Sequence, residues 1–211
     1  TNTVYGKEYN DYDYIAEGDS IWITGLYPVG LRTFDNGAFG SYSGRYTYTK
    51  ADGTDAGFLS TLSDGVVPGW YVNPQTTAID RYNPFLLDFQ MEWAARADWC
   101  VNTPENCNHA PVISDVTADC TVAPGEAVAL SAAISDPDGD NCTATWWTEA
   151  TGCVYHGEDP AKSIWSADGA ETTFTVPADA QSGDCFIITL TVRDDADAVM
   201  TRYAQLLVTV A

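Results

Sequence analysis

The hydrophobic positions divide the chain into two textures. Phe85, Leu86, Phe89, Trp93 and Ala97 recur at steps of one, three or four. That spacing draws an apolar stripe along a helix and puts Asp88 and Glu92 on the other side. Asn83 suits the cap of this helix and Pro84 its first position, where a missing N–H costs nothing. Upstream, Ile21-Trp-Ile-Thr-Gly-Leu26 fits a buried strand and a short buried helix equally. Residues 37–44, rich in glycine and aromatic residues, predict an irregular loop.

Beyond the helix the period shortens to two. Alternation predicts strands at Val116–Val122, Val128–Ile134, Thr143–Thr148, Thr172–Val176, Phe186–Arg193 and Met200–Val210. Pro124-Gly125, Asp136-Pro-Asp-Gly-Asp140, Pro177 and Asp194-Asp195 break them. Strands of this length over about a hundred residues follow the immunoglobulin-like pattern. One of Trp146 and Trp147 is then the core tryptophan and the other points outward. The junction from Asn102 to Pro111 is polar and holds two prolines. The expected fold is therefore mixed: residues 1–105 form a small α/β-type segment with one clear helix, and residues 106–211 an all-β immunoglobulin-like sandwich.

Composition narrows the setting. The chain has 211 residues, enough for a substantial core. Its 30 acidic residues against 9 basic ones give a net charge of −21. Such a surface repels nucleic-acid phosphates and anionic lipids, so neither is an expected partner. No apolar run reaches the length of a membrane span, and Thr1 opens no signal peptide, so a processed or trimmed product is expected. The six cysteines, Cys100, Cys107, Cys120, Cys142, Cys153 and Cys185, lack the close pairs of zinc sites. They predict disulfides and, with the scarcity of lysine, an extracellular, secreted protein. Near neighbours close small loops as Cys100–Cys107 and Cys142–Cys153, which leaves Cys120–Cys185 by elimination; both members of that pair adjoin turns expected at one end of the sandwich.

Several motifs resemble a known family. Glu17-Gly-Asp-Ser20, the run from Gly37 to Tyr46, and above all Phe89-Gln-Met-Glu-Trp-Ala-Ala-Arg-Ala-Asp-Trp-Cys100 resemble the later part of secreted nucleoside-hydrolase-like proteins, often described as cellulose-binding. Asn108-His-Ala-Pro111, Ser135-Asp-Pro-Asp-Gly-Asp140, Phe174-Thr-Val-Pro-Ala-Asp179 and Thr201-Arg-Tyr203 look like the family's terminal immunoglobulin-like domain. The resemblance implies that residues 1–105 are the end of a hydrolase-like domain. Hydrolases of this type hold calcium in a D-x-D-x-x-x-D-D cluster, which this chain lacks. Asp11-Tyr-Asp13 with Glu17 and Asp19 is a partial lookalike without the preceding apolar strand. Asp19 is either one leftover ligand of that site or a turn residue before Ile21.

The chemistry left to the chain is mostly that of binding. His109 and His156 accompany no serine or cysteine at a suggestive spacing, no carboxylate pair stands out for glycosidase chemistry, and no glycine loop cradles phosphate. Flat sugars are held by aromatic rings, and Trp22, Trp70, Tyr71, Trp147, Tyr155 and Trp165 are candidates for a polysaccharide platform. Each also fits core packing. Asp136, Asp138 and Asp140 alternate along one turn, and Asp194, Asp195 and Asp197 lie in a loop expected at the same end of the sandwich. Calcium takes six to eight oxygen ligands and would relieve their repulsion; a solvated acidic turn is the alternative. Asn141-Cys-Thr143 is a glycan acceptor. Three functions follow: a carbohydrate-binding or accessory module, the C-terminal portion of a glycosidase needing an upstream segment, or a structural subunit that self-assembles or joins an upstream chain.

Overall fold

The computed structural model describes residues 27–42, 85–148 and 153–211, and the backbone of four short strands at 2–4, 7–9, 46–47 and 61–62. The candidates Trp22, Trp70 and Tyr71, the lookalike acids 11–19, the run 21–26 and the cap Asn83-Pro84 lie outside the described residues. The short strands pair as β1 (Asn2–Val4) with β2 (Lys7–Tyr9), and β3 (Tyr46–Thr47) with β4 (Thr61–Leu62), both antiparallel.

The chain forms two compact units, one of residues 1–28 and 32–91, the other of residues 29–31 and 92–211. In the first, an aromatic cluster forms around Tyr42 and Phe89, whose ring centroids lie 5.6 Å apart, with Tyr27 edge-on to Phe89 at 6.4 Å. The predicted loop at residues 37–44 contains one 3-10 turn, Gly37–Phe39.

The helix α1 runs Leu86–Trp99, as the apolar spacing predicts, but its inward face differs. Asp88 and Glu92, placed by periodicity on the polar side, are 2% and 0% exposed, whereas Trp93 is 56% exposed. The cause is a charge partner that periodicity does not register. Glu92 Oε1 accepts from Arg96 at 2.7 Å, and Oε2 accepts from Arg202 at 2.8 Å. A buried carboxylate with two guanidinium partners can face inward where an unpaired one could not.

The second unit is a β-sandwich. One sheet has the order β10-β9-β12-β13-β6, from strands Trp165–Asp168, Thr143–Thr148, Cys185–Arg193, Thr201–Val210 and Cys120–Val122 respectively. Across the core lie the ladders of β7 (Ala127–Ser131) with β11 (Glu171–Thr175) and β5 (Val112–Ser114) with β8 (Ala133–Ser135). Trp146, Phe186, Ile188, Leu190, Leu206 and Val208 from the first sheet meet Val128, Leu130 and Phe174 from the other side. Trp146 is the core tryptophan at 0% exposure, and Trp147, one step along β9, faces away.

Most predicted strands are present. The run Val128–Ile134 is broken at Ala132, whose N–H turns to the Ala170 carbonyl and so separates β7 from β8. Of Val116–Val122 only the last three residues pair, because Thr117 bonds instead with Ser131. Both faces of β12 are buried: Thr189 and Thr191, pointing away from the core, are 1% and 3% exposed. Residues 29–31 lie along β13, where Tyr203 N–H donates to the Val29 carbonyl at 2.8 Å. Gly30, at φ +100°, sits so close to the Tyr203 carbonyl that any Cβ would collide with backbone.

The strand register also revises the cysteine pairing. Thr209 of β13 lies between Cys185 on β12 and Thr121 on β6. Cys120 and Cys185 are thus about two strand spacings apart, ~9.6 Å, beyond the reach of a disulfide. Cys142 precedes β9, while Cys153 Sγ lies 3.1 Å from Thr148 Oγ1 at its far end. That distance is ~20 Å along a strand of this length, so this pair is excluded as well. Elimination by spacing fails because it ignores which strands intervene.

Candidate functional site

The acidic end of the sandwich is assembled by register. Arg193, the last residue of β12, pairs with both Thr143 and Thr201. The turn entering β9 and the loop between β12 and β13 therefore adjoin, as the immunoglobulin-like topology predicts. Asp136 opens the turn: its Oδ1 accepts from the N–H groups of Asp138 at 2.8 Å and Asp140 at 3.3 Å. Gly139 takes φ +85°, a left-handed conformation that lets the chain double back between them. Carboxylate oxygens of Asp136, Asp138 and Asp140 lie within 4.8 Å of one another. Asp136 Oδ2 is wholly buried and has no hydrogen-bond partner.

The second loop supplies the flanks. Asp194, 4% exposed, accepts from Met200 N–H at 3.0 Å through Oδ1 and from Asn108 Nδ2 at 2.9 Å through Oδ2. Asp195 accepts from both the backbone N–H and the side-chain amide of Asn141, which hold its pKa below the ordinary carboxylate value, the side-chain bond foremost. The amide nitrogen of the predicted glycan acceptor is thus engaged. Asp197 stays exposed and outside the close group. Asp140 has a raised pKa, first from desolvation and then from the charges of Asp136, Asp194, Asp195 and Asp138. The two loops converge electrostatically as well as spatially.

Two residues of the junction, Asn108 and His109, belong to this end. His109 donates its backbone N–H to Asp138 Oδ2 at 2.6 Å, and its Nδ1 lies 2.9 Å from Asp138 Oδ1. These bonds, the backbone one foremost, lower the Asp138 pKa. Asn108 Nδ2 also donates to the Ala198 carbonyl at 3.0 Å, and Asn108 Oδ1 is wholly buried without a partner. Trp99 Nε1 donates to the Asn108 carbonyl at 2.8 Å, tying the end of α1 to the same segment. The motif Asn108-His-Ala-Pro111 carried this signal only through its resemblance to other chains.

The described aromatic candidates do not share one face. Trp165 pairs with Thr148 and so faces the same side as Trp146, where its ring meets Phe174 edge-on at 5.3 Å. Tyr155 packs on Phe186 at 5.7 Å and donates its hydroxyl to Asp179 at 2.7 Å. Burial, then Asp179, pushes the Tyr155 pKa up to about 12. Asp179 is in turn held far below the usual range, most strongly by Lys162. Trp147 alone lies on the outer face, with Nε1 donating to Thr191 at 2.8 Å. His156 Nδ1 lies 2.6 Å from the buried Asp184, yet neither histidine bonds a serine or cysteine side chain among the described residues.

Comparison with known proteins agrees with the resemblance in the motifs. Residues 127–210 match the family model described as cellulose-binding protein Sde0182, C-terminal domain. A solved structure, a nucleoside hydrolase-related hypothetical protein from Saccharophagus degradans that is associated with carbohydrate metabolism, superposes with a TM-score of 0.65 at 19% identity over 92% of this chain. The likeness is one of fold, and this chain spans 47% of that protein's length. The structure of DIP-gamma IG1+IG2 aligns over 48% of each chain at 14% identity with a TM-score of 0.31. No curated protein matches.

Proposed function

We propose that this chain is a non-catalytic carbohydrate-binding or accessory module of a secreted protein. The observation that carries the reading is the match of residues 127–210 to the C-terminal domain of a cellulose-binding protein. Two further features support it. Trp147, half-buried, offers an aromatic edge on the outer sheet face, with its indole N–H held by Thr191. The strongly acidic surface suits a neutral polysaccharide better than any anionic partner. Among the described residues no helix is long and apolar enough to cross a membrane.

A second reading draws on the fold match over 92% of the chain: the C-terminal portion of a hydrolase-like protein whose chemistry lies upstream. One experiment separates the two. The purified chain is tested for retention on insoluble cellulose, for slowed migration in gels containing soluble glucans, and for turnover of nitrophenyl glycosides and inosine. Retention without turnover is the expected result. Absence of retention on every polysaccharide overturns the binding reading, and turnover overturns the non-catalytic one.

A further inference from the structure

We propose that the acidic end of the sandwich is a binding site for a hard divalent cation of the calcium class, and that Asn108 is one of its ligands, so that the cation fastens the junction after α1 to the sandwich. Acidic turns are ordinary, and three close carboxylates alone would define no site. The independent observation is a pair of stranded oxygens. Asp136 Oδ2 and Asn108 Oδ1 are each wholly buried and without a hydrogen-bond donor. A buried acceptor left unmatched is costly, and more so when it belongs to a carboxylate. The two come from segments 28 positions apart, and both belong to residues that are otherwise fully engaged. Asp136 has committed its other oxygen to two backbone N–H groups, and Asn108 has committed its amide nitrogen to Asp194 and Ala198. What remains on each is an oxygen lone pair with no protein donor to receive it. A cation supplies the missing partner for both.

The donor set selects the class of ion. Asp136, Asp138, Asp140 and Asn108 offer only oxygen, which suits a large hard cation with six to eight flexible ligands; backbone carbonyls and water would complete the shell. His109 Nδ1, a nitrogen beside the cluster, is already taken by Asp138. Asp194 and Asp195 act as positioning residues: the first orients the Asn108 amide, and the second holds Asn141. Because Asn108 is anchored to Trp99 through its carbonyl, a cation bound to its side chain restrains the whole segment between α1 and β5. This inference does not rest on carbohydrate binding, and its test uses no glycan.

The whole chain, stripped with chelator and dialysed, is titrated calorimetrically with calcium, magnesium and zinc chlorides. Circular dichroism confirms the fold of each variant. One calcium site is expected, weakened at least tenfold by Asp136→Asn and by the more exposed Asp138→Asn, and unchanged by Glu158→Gln in the 153–163 loop. Asn108→Ala is expected to weaken it at least tenfold and to abolish a calcium-dependent slowing of amide exchange across residues 103–110. A folded wild-type chain that takes up no calcium, or prefers zinc, overturns the site. Calcium binding that survives Asn108→Ala unchanged, with exchange at 103–110 indifferent to calcium, overturns the role of the junction.

Discussion

Arg202 on β13 donates to the carboxylate of Glu92 on α1 at 2.8 Å across 110 positions of sequence. Glu92 is 0% exposed, and its second oxygen is held by Arg96. Removing the buried member of such a set strands two cations and leaves a cavity. Glu92→Ala is expected to lower stability by about 3 kcal/mol, read as a reduced urea midpoint at unchanged slope. Arg96→Ala should cost far less, since its side chain is 37% exposed and Arg202 still neutralises the carboxylate. Equal losses in the two variants would show that the charge pairing is not what holds α1 in place.

The geometry leaves one of the three sequence-derived disulfides open. The bond from Trp99 Nε1 to the Asn108 carbonyl draws together the neighbours of Cys100 and Cys107. Closing the eight-residue loop from 100 to 107 would contribute about 2.5 kcal/mol in the chain-entropy model. Peptide mapping of oxidised protein without reduction is expected to find this linkage. It should find neither Cys120–Cys185 nor Cys142–Cys153, and recovery of either would mean that the strand register described above is wrong.

Acid should weaken the far end of the sandwich through Asp184. This carboxylate is 0% exposed and accepts from His156 N–H, His156 Nδ1 and Gln181 N–H. Burial, the largest single influence, pushes its pKa up, but these donors and the His156 charge together bring it below the ordinary value. A carboxylate depressed on folding stabilises above its unfolded pKa of about 3.9 and loses that contribution as pH falls through the folded value. Urea midpoints at pH 7, 5 and 3 should therefore show wild type above Asp184→Asn at pH 7 and 5, with the gap narrowing at pH 3. A gap that widens on acidification would reverse the assigned sign.

Crowding at the acidic end makes a different prediction. The raised pKa of Asp140 reports burial and four neighbouring carboxylates, so its charge opposes folding at neutral pH when no cation is present. Asp140→Asn is expected to raise the melting temperature in chelator. In calcium the same substitution is expected to lower it relative to wild type, because a ligand is lost. Destabilisation of equal size in both conditions would mean that Asp140 is held by hydrogen bonds rather than strained by charge.

What could be read in advance followed from local periodicity. β9 and the long strands β12 and β13 carry clear alternation, from which it follows that one of Trp146 and Trp147 is buried and the other faces out, while the choice of Trp146 comes from the structure. β5 and β10 escaped because three or four residues such as Trp165-Ser-Ala-Asp168 are too short to show a period. The inward face of α1 was misjudged because Glu92 is made tolerable by an arginine 110 positions away. Likewise the roles of Asn108 and His109 were not legible because their partners, Asp194 and Asp138, are distant in sequence. Local pattern finds elements, whereas long-range partners decide which polar residues turn inward and form a site.

The two tryptophans of the β9–β10 edge should separate binding from stability. Trp165 faces the core and meets Phe174 edge-on, so its loss removes apolar contact that the sandwich depends on. Trp165→Ala is expected to lower stability by about 3 kcal/mol and to leave polysaccharide retention unchanged in the fraction that remains folded. Trp147 lies on the opposite face, where its indole N–H donates to Thr191. Trp147→Phe removes that bond and part of the ring surface without opening the core, so a loss of about 1 kcal/mol is expected in denaturation. Its effect on retention should be larger than its effect on folding. Parallel measurements on insoluble cellulose, each normalised to the folded fraction by circular dichroism, check this. Should Trp147→Phe bind as wild type while Trp165→Ala does not, the outer sheet face would be excluded and the search would move to the edge formed by β10.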